Sequence, residues 1–390
     1  MTQSPGFLRA LDREWTHLRL APWDLALVTW LPALACALVL WIFATGIPRH
    51  LPIALVDQDN SAAARQLARM VAASPAIAVT SVPDLAAALD RVERRKAFGV
   101  LVIPDDFARK LDQGRQAHVQ WLYNAQFSPH AGMLTTAVRS AVGTLSAGIE
   151  VVARERRGSA PVAAATQFEP IRTRPTSLFI ESNSYEPFLA ASIVPALLQI
   201  FAMVAAVSAV GRELKHGTVL HWQRTASGWM RAVAAKLLIP LVTLSATGLA
   251  AIVWLVVARG WAIEGSVAAI ALGEVLMIFA YLAVGVLAVA LALSVRAALS
   301  MAGFYTAPGF AFSGQGFPVF AMPPLARAWA ELLPLTHFLV VQNRHWLMGA
   351  PFAESTHELI LLAAMGVLAL GAGMTLLIRR AGKRTAWGRR

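Results

Sequence analysis

The sequence predicts an α-helical polytopic membrane protein with six spans, an N-terminal interfacial helix, a re-entrant segment before the last span and an inserted α/β extracytoplasmic domain. Three observations predict it. First, 57% of the 390 residues are hydrophobic and only 14% are charged, against about a quarter charged in soluble globular proteins. Second, charge-poor apolar windows recur along the chain at about the 20 residues needed to cross a bilayer core of roughly 30 Å. Third, residues 49–184 break that pattern with ordinary soluble composition, sixteen basic and twelve acidic residues. The one cysteine, Cys36, excludes an intramolecular disulfide framework and a cysteine-rich metal site.

Residues 1–23 read as a basic amphipathic helix lying in the membrane interface. Ser4-Pro5 supplies an N-cap and a first-turn proline, and Phe7, Leu8, Leu11, Trp15 and Leu18 fall on one face opposite Arg9, Arg13, Thr16 and Arg19. The first span occupies 24–48. Its apolar run exceeds the 7–15 residues of a signal-peptide core and ends near Trp41 and Phe43, which argues against cleavage. Residues 185–379 hold the remaining spans. Their windows lie between Glu186 and Arg212, Lys236 and Arg259, about Gly265 and Val295, Arg296 and Arg327, and Glu358 and Arg379. The fifth is irregular: Pro308-Gly309 should kink it, and Gly314, Gly316, Pro318 and Pro323-Pro324 should stop it. Residues 314–348 therefore read as a re-entrant hairpin, since the apolar stretch Leu332 to Val341 is too short to span.

Lysine and arginine set the orientation. The two ends and the inner connections, including the basic tail at 380–390, carry fourteen basic residues against Asp12, Glu14 and Glu213. The opposite short connections carry only Arg259, Arg327 and Arg344. The positive-inside rule puts both termini in the cytoplasm and residues 49–184 outside. The net charge of +12 thus marks topology and not nucleic-acid binding.

Within 49–184, strands at 52–57, 76–80, 98–103 and 118–123 alternate with helices at 61–71, 84–95, 104–111 and 129–157. That alternation implies a small α/β domain with a largely parallel sheet. The dense carboxylates, Asp57, Asp59, Asp105 and Asp106, all stand where a strand leads into a helix, so capping accounts for much of them, with a metal or general-acid role as the alternative. The sequence contains no phosphate-binding G-x-x-x-x-G-K-[ST] loop, no nucleophile elbow and no H-E-x-x-H. The chain is therefore expected to bind no ATP, cofactor or metal, and to have no catalytic residue.

Ionisable residues at membrane depth are costly and face protein or water. Glu274 sits about nine residues into the fourth span; it reads either as a contact for a polar substrate or as a hydrogen-bonding group between helices. Gln199, Tyr281 and Tyr305 are the other polar candidates inside spans, with helix–helix contact as the simpler role. The first inner loop, Gly211 to Trp222, is short and charged, as a partner-contacting loop would be.

These pieces together resemble the ABC-2 type permeases of ATP-binding-cassette exporters, in the subgroup with a large external domain between the first two spans. The segments Ile53 to Ser61 and Gly99 to Phe107 are similar to the start and a later strand exit of that domain. Arg212-Glu213 with Gly217-Thr218 resembles the R-E-x-x-x-G-T element of the ATPase-contacting loop. Ser313-Gly314, Phe317-Pro318, Met322-Pro323, Pro334-Leu335-Thr336, Arg344 and Gly349 resemble, in order, the external re-entrant segment. Val219-Leu220 and Thr225-Ala226 depart from the family's usual continuation of the loop.

The resemblance implies a bacterial inner-membrane exporter subunit for an amphipathic drug, lipid or natural product. The interfacial helix would be the family's elbow helix. Arg212, Glu213, Gly217 and Thr218 would couple to cytoplasmic ATPase subunits, which use the ATP and Mg. Gly314, Phe317, Pro318, Met322, Pro323 and Pro334 would form an outer gate, and Glu274, Gln199 and Tyr305 would line the pathway. Expected partners are the ATPases, a second permease chain forming a homo- or heterodimer, membrane lipids, and a periplasmic membrane-fusion protein. Two rivals stand beside this reading: a membrane-anchored sensor or scaffold with a ligand-binding external domain, and an ion-coupled carrier using Glu274. The first usually needs a cytoplasmic output domain and the second an internal repeat; the sequence shows neither.

Overall fold

A computed structural model describes residues 6–44, 49–113, 115–124, 128–156 and 190–381. The expected Ser4-Pro5 cap, the linker at 159–184 and most of the basic tail lie outside them. The chain divides into two compact units, Met1–Gly46 with Ser177–Arg390, and Ile47–Thr176.

In the first unit, α1 (Phe7–Leu20) precedes α2 (Pro22–Val28) and α3 (Trp30–Phe43). The last two form one apolar run bent by 43° at Thr29. Pro32 has no N–H to give the Val28 carbonyl, which explains the break at this point. Three long helices follow: α8 (Ala191–Lys215), α10 (Trp229–Val257) and α11 (Val267–Ala292), with the short α9 (Val219–Ala226) between the first two. The chain ends in α16 (Thr356–Ala381). The helices long and apolar enough to cross a membrane number four among the described residues, or five if α2 and α3 count as one bent span.

The fifth expected crossing is the one that differs. Its window holds α12 (Val295–Thr306) and α13 (Gly309–Phe312), separated at Ala307-Pro308. Twelve residues rise only about 18 Å, short of the roughly 30 Å core. After a turn at Val319–Ala321, α14 (Pro324–Glu331) and α15 (Pro334–Trp346) follow. The buried side of α15 includes Leu335, Phe338, Leu339 and Val341.

Helix α11 is the hub of this unit. Met277, Ile278, Tyr281, Leu282, Val286 and Val289 are all buried. By contrast α10 and α16 turn Val242, Val253, Trp254, Ile360 and Leu368 outward. An apolar outer surface of that kind suits lipid and not water.

The second unit is a four-stranded sheet of order β2-β1-β3-β4. Strands β1 (Leu51–Asp57), β2 (Ile77–Ser81) and β3 (Gly99–Ile103) are parallel, and β4 (Gln120–Tyr123) is antiparallel to β3. Helices α4 (Ala62–Ala72), α5 (Leu85–Glu93), α6 (Phe107–Asp112) and α7 (Ser128–Arg156) complete it. Ile53, Leu55, Leu101 and Ile103 pack with Leu67 of α4 and Leu134 of α7. Ala54, Val56, Val100 and Val102 pack on the other face with Ala88 of α5. A central strand buried on both faces reads as an unbroken apolar run, which Ile53 to Val56 is.

The carboxylates of this unit serve its turns. Asp57 accepts from the amides of Asp59 and Asn60 (3.1 and 2.9 Å), and Asp59 from that of Ala108 (3.2 Å). Asp106 is held below the usual carboxylate range by the hydrogen bond that Lys110 donates to it, Nζ to Oδ2 2.6 Å.

Candidate functional site

The charged ends of the helices converge in the first unit. Arg212 and Glu213 occupy the last turn of α8, not a loop. Helix α8 closes on His216, and Gly217 follows with φ +69°. The Gly217 amide donates to the Leu214 carbonyl (3.3 Å) and the Thr218 amide to that of Glu213 (2.9 Å). This paired Schellman arrangement needs the left-handed residue that glycine supplies most cheaply. The spacing of Glu213, Gly217 and Thr218 is therefore the geometry of a helix stop. The Thr218 hydroxyl adds a 2.5 Å bond to the Glu213 carboxylate.

That stop aims two side chains at the N-terminal helices. Arg212 bridges Glu14 of α1 (2.7 Å) and Asp24 of α2 (2.8 Å). Glu213 meets Arg13 of α1 (3.0 Å) and Lys236 of α10 (3.0 Å). Lys236 also reaches Glu14 (2.7 Å) and lies 5.3 Å from the ring centroid of Trp222 on α9. Trp222 in turn donates its indole N–H to the Ala232 carbonyl of α10. Three cations thus face three carboxylates, and Lys236 is only 1% exposed. A buried, balanced set of this kind cannot lose one member cheaply.

Of the motif residues, Glu213 is buried and Arg212, Gly217 and Thr218 are half-buried, while α9 turns Leu220, His221 and Arg224 outward. On α1 the expected apolar stripe is divided: Leu8 and Trp15 are exposed, Phe7 and Leu11 pack against the core, and Leu18 is buried with Ala10 and Glu14. Glu14, Asp24, Lys236 and Trp222 escaped attention as site residues. A lysine ending an apolar window was the available signal for Lys236.

Glu274 of α11 is 2% exposed and faces Gly248 of α10. A Cβ at 248 would stand 1.4 Å from its Oε1, so the glycine makes room for the carboxyl. Oε2 has no hydrogen-bond partner among the described residues. A cavity of about 10 Å³ beside it, lined also by Pro195, Phe338 and Gln342, is close to the size of one water probe. Gln342 donates to the Ala191 carbonyl (2.9 Å), the acceptor that Pro195 leaves unused four residues on.

The remaining candidates sit at the re-entrant segment. Gln199 donates to the Thr306 carbonyl (3.3 Å), where α12 breaks. The Tyr305 hydroxyl donates to the Leu332 carbonyl (2.6 Å), and the Leu335 amide donates to the Tyr281 hydroxyl (3.3 Å). The Tyr305 ring packs edge-on against both Tyr281 and Trp329, 5.9 and 5.8 Å between centroids. Together they tie the start of α15 to α11 and α12, with Pro334 at its first helical position. Gly314 has φ +85°, Phe317 is exposed, Met322 is buried, and Pro318 and Pro323 open the Val319–Ala321 turn and α14.

The family model described as ABC-2 family transporter protein matches residues 22–374. The chain belongs to the ABC-2 transporter family. Among curated proteins it is similar to the inner membrane transport permease YhhJ of Escherichia coli strain K12, 26% identical over 343 residues, which is 84% of each chain. The Shigella flexneri protein of the same name matches equally. No solved structure matches the chain. Its apolar helices and this relationship make it a multi-pass membrane protein, and ABC-2 permeases normally work with an ATPase partner.

Proposed function

We propose that the chain is the membrane-spanning subunit of an ABC exporter, forming the pathway for an amphipathic drug, lipid or natural product. A separate ATPase chain supplies the energy, and two permease chains pair in the bacterial inner membrane. On this reading α2–α3, α8, α10, α11, α12–α13 and α16 make six crossings, both termini are cytoplasmic, and the second unit stands outside, where a fusion protein can meet it. The network of buried Glu14, Glu213 and Lys236 with half-buried Arg13, Asp24 and Arg212 carries the proposal. It joins α1, α2, α8 and α10 rigidly beneath α9, so a push on the outer face of α9 moves all of them together. Arg212, Glu213, Gly217 and Thr218 then transmit force inside the permease, and Leu220, His221 and Arg224 receive it from the ATPase.

The test is reconstitution with the ATPase. Scrambling Arg212 to Thr218 should abolish ATP-driven transport with ATP hydrolysis intact, and retained transport would refute the assignment. A second reading rests on the unpartnered Oε2 of Glu274: an ion-coupled carrier would transport under a pH gradient without any ATPase. Within the exporter reading, Glu274→Gln changes substrate range more than abundance. Reduced abundance with unchanged transport per molecule would make Glu274 purely structural.

A further inference from the structure

A groove of about 580 Å³ runs between α3 and α10. Its walls are shallow on one side because Ala33 and Ala37 alternate with Leu40 along α3, and on the other because Ala246, Ala250 and Ala251 face them from α10. The lining from Ala33 to Ala44 rises about 16 Å at 1.5 Å per residue, close to half of a roughly 30 Å core. The groove therefore has the length of one leaflet. It ends among Trp41, Trp254 and Arg259. Both indoles are more than half exposed, as ring systems at the headgroup level of a bilayer are. Arg259 follows the end of α10 and donates to the Ala44 carbonyl just past α3, which fixes its guanidinium at the groove's mouth.

A mainly apolar groove about half a bilayer core long, with a guanidinium at its mouth, matches one kind of ligand. We propose that this groove binds an acyl chain of an anionic phospholipid, with Arg259 on the headgroup phosphate. The planar guanidinium fork suits a phosphate, and its charge favours a headgroup of net negative charge over a zwitterionic one. A second copy of the chain fits less well, because an isologous contact centred here would bring two Arg259 side chains together. The orientation given above places this site in the outer leaflet, but the lipid site itself requires only that α3 and α10 cross the membrane.

The full-length chain, purified in mild detergent and exchanged into phosphatidylglycerol or phosphatidylethanolamine, can be examined by native mass spectrometry. The wild type should retain one phosphatidylglycerol per chain more tightly than phosphatidylethanolamine. Arg259→Gln, an exposed position, should lower phosphatidylglycerol retention about tenfold and erase the preference. Ala250→Phe fills the slot and should remove both lipids. Unchanged retention in Arg259→Gln would overturn the proposal whether or not Ala250→Phe folds. So would disulfide cross-linking of two chains through Ala37→Cys in a Cys36→Ala background, which would put a second copy on this face.

Discussion

Replacing Lys236 by methionine is the most demanding test of the buried network. Methionine keeps most of the side-chain length and removes the ammonium that touches Glu14 at 2.7 Å and Glu213 at 3.0 Å. Both carboxylates stay buried, at 5% and 2% exposure, and three anions then face two cations. Leaving a buried charge without its partner costs about 3–5 kcal/mol. Lys236→Met should therefore destabilise the chain by about that much in denaturant or thermal unfolding in detergent. Glu14→Gln/Lys236→Met restores the balance, because Arg212 keeps Asp24 and Glu213 keeps Arg13. The double variant should recover about 1–3 kcal/mol relative to the sum of the single losses, a coupling typical of residues in one network. A Lys236→Met variant within about 0.5 kcal/mol of wild type, as for an exposed position, would refute the reasoning.

Three further outcomes follow from the geometry. Gly217→Val forces a branched residue into φ +69°; it should cost about 1–2 kcal/mol and reduce ATP-coupled transport more than abundance, and full coupling would show that the helix stop is dispensable. Gly248→Ala puts a methyl group on the Glu274 carboxyl, so the folded yield should fall sharply, and Glu274→Gln should not rescue it because the amide fills the same space. Asp106 lies below the usual carboxylate range through Lys110. Its stabilisation is therefore complete above that range and fades as pH falls through the depressed value. Protection factors over α6, taken against intrinsic exchange at each pH, should fall in acid for wild type, whereas Asp106→Asn should lack that component of the pH response.

What could be read in the sequence and what could not divides by physical cause. The second unit's strands and helices were legible nearly to the residue. Ile53 to Val56 is an unbroken apolar strand, and Ser61 and Asp84 cap the helices that follow, accepting from the Ala64 and Ala87 amides. The long helices α8, α10, α11 and α16 followed from window length, and the break after α12 from Pro308. The faces of α1 were not legible, because near a membrane an apolar stripe can point to lipid as readily as to protein. Nor was the network: the partners of Arg212 lie 188 and 198 positions away, and no local spacing encodes such a pairing. The short R-E-x-x-x-G-T element drew attention to this turn, but its spacing does not reveal that its glycine closes a helix and that its arginine and glutamate point inward. Gln199 and Gln342 show the same limit, because each answers a backbone carbonyl on a distant helix.

On the proposed function this chain is a transport pathway whose motion another chain supplies through α9. Transport into proteoliposomes containing the purified permease, with and without its ATPase, tests that most directly. Substrate movement is expected only when both ATPase and ATP are present, and is expected to be lost in a chain with Leu220, His221 and Arg224 all replaced by alanine. Substrate movement by the permease alone, driven by a pH gradient and indifferent to ATP, would contradict it.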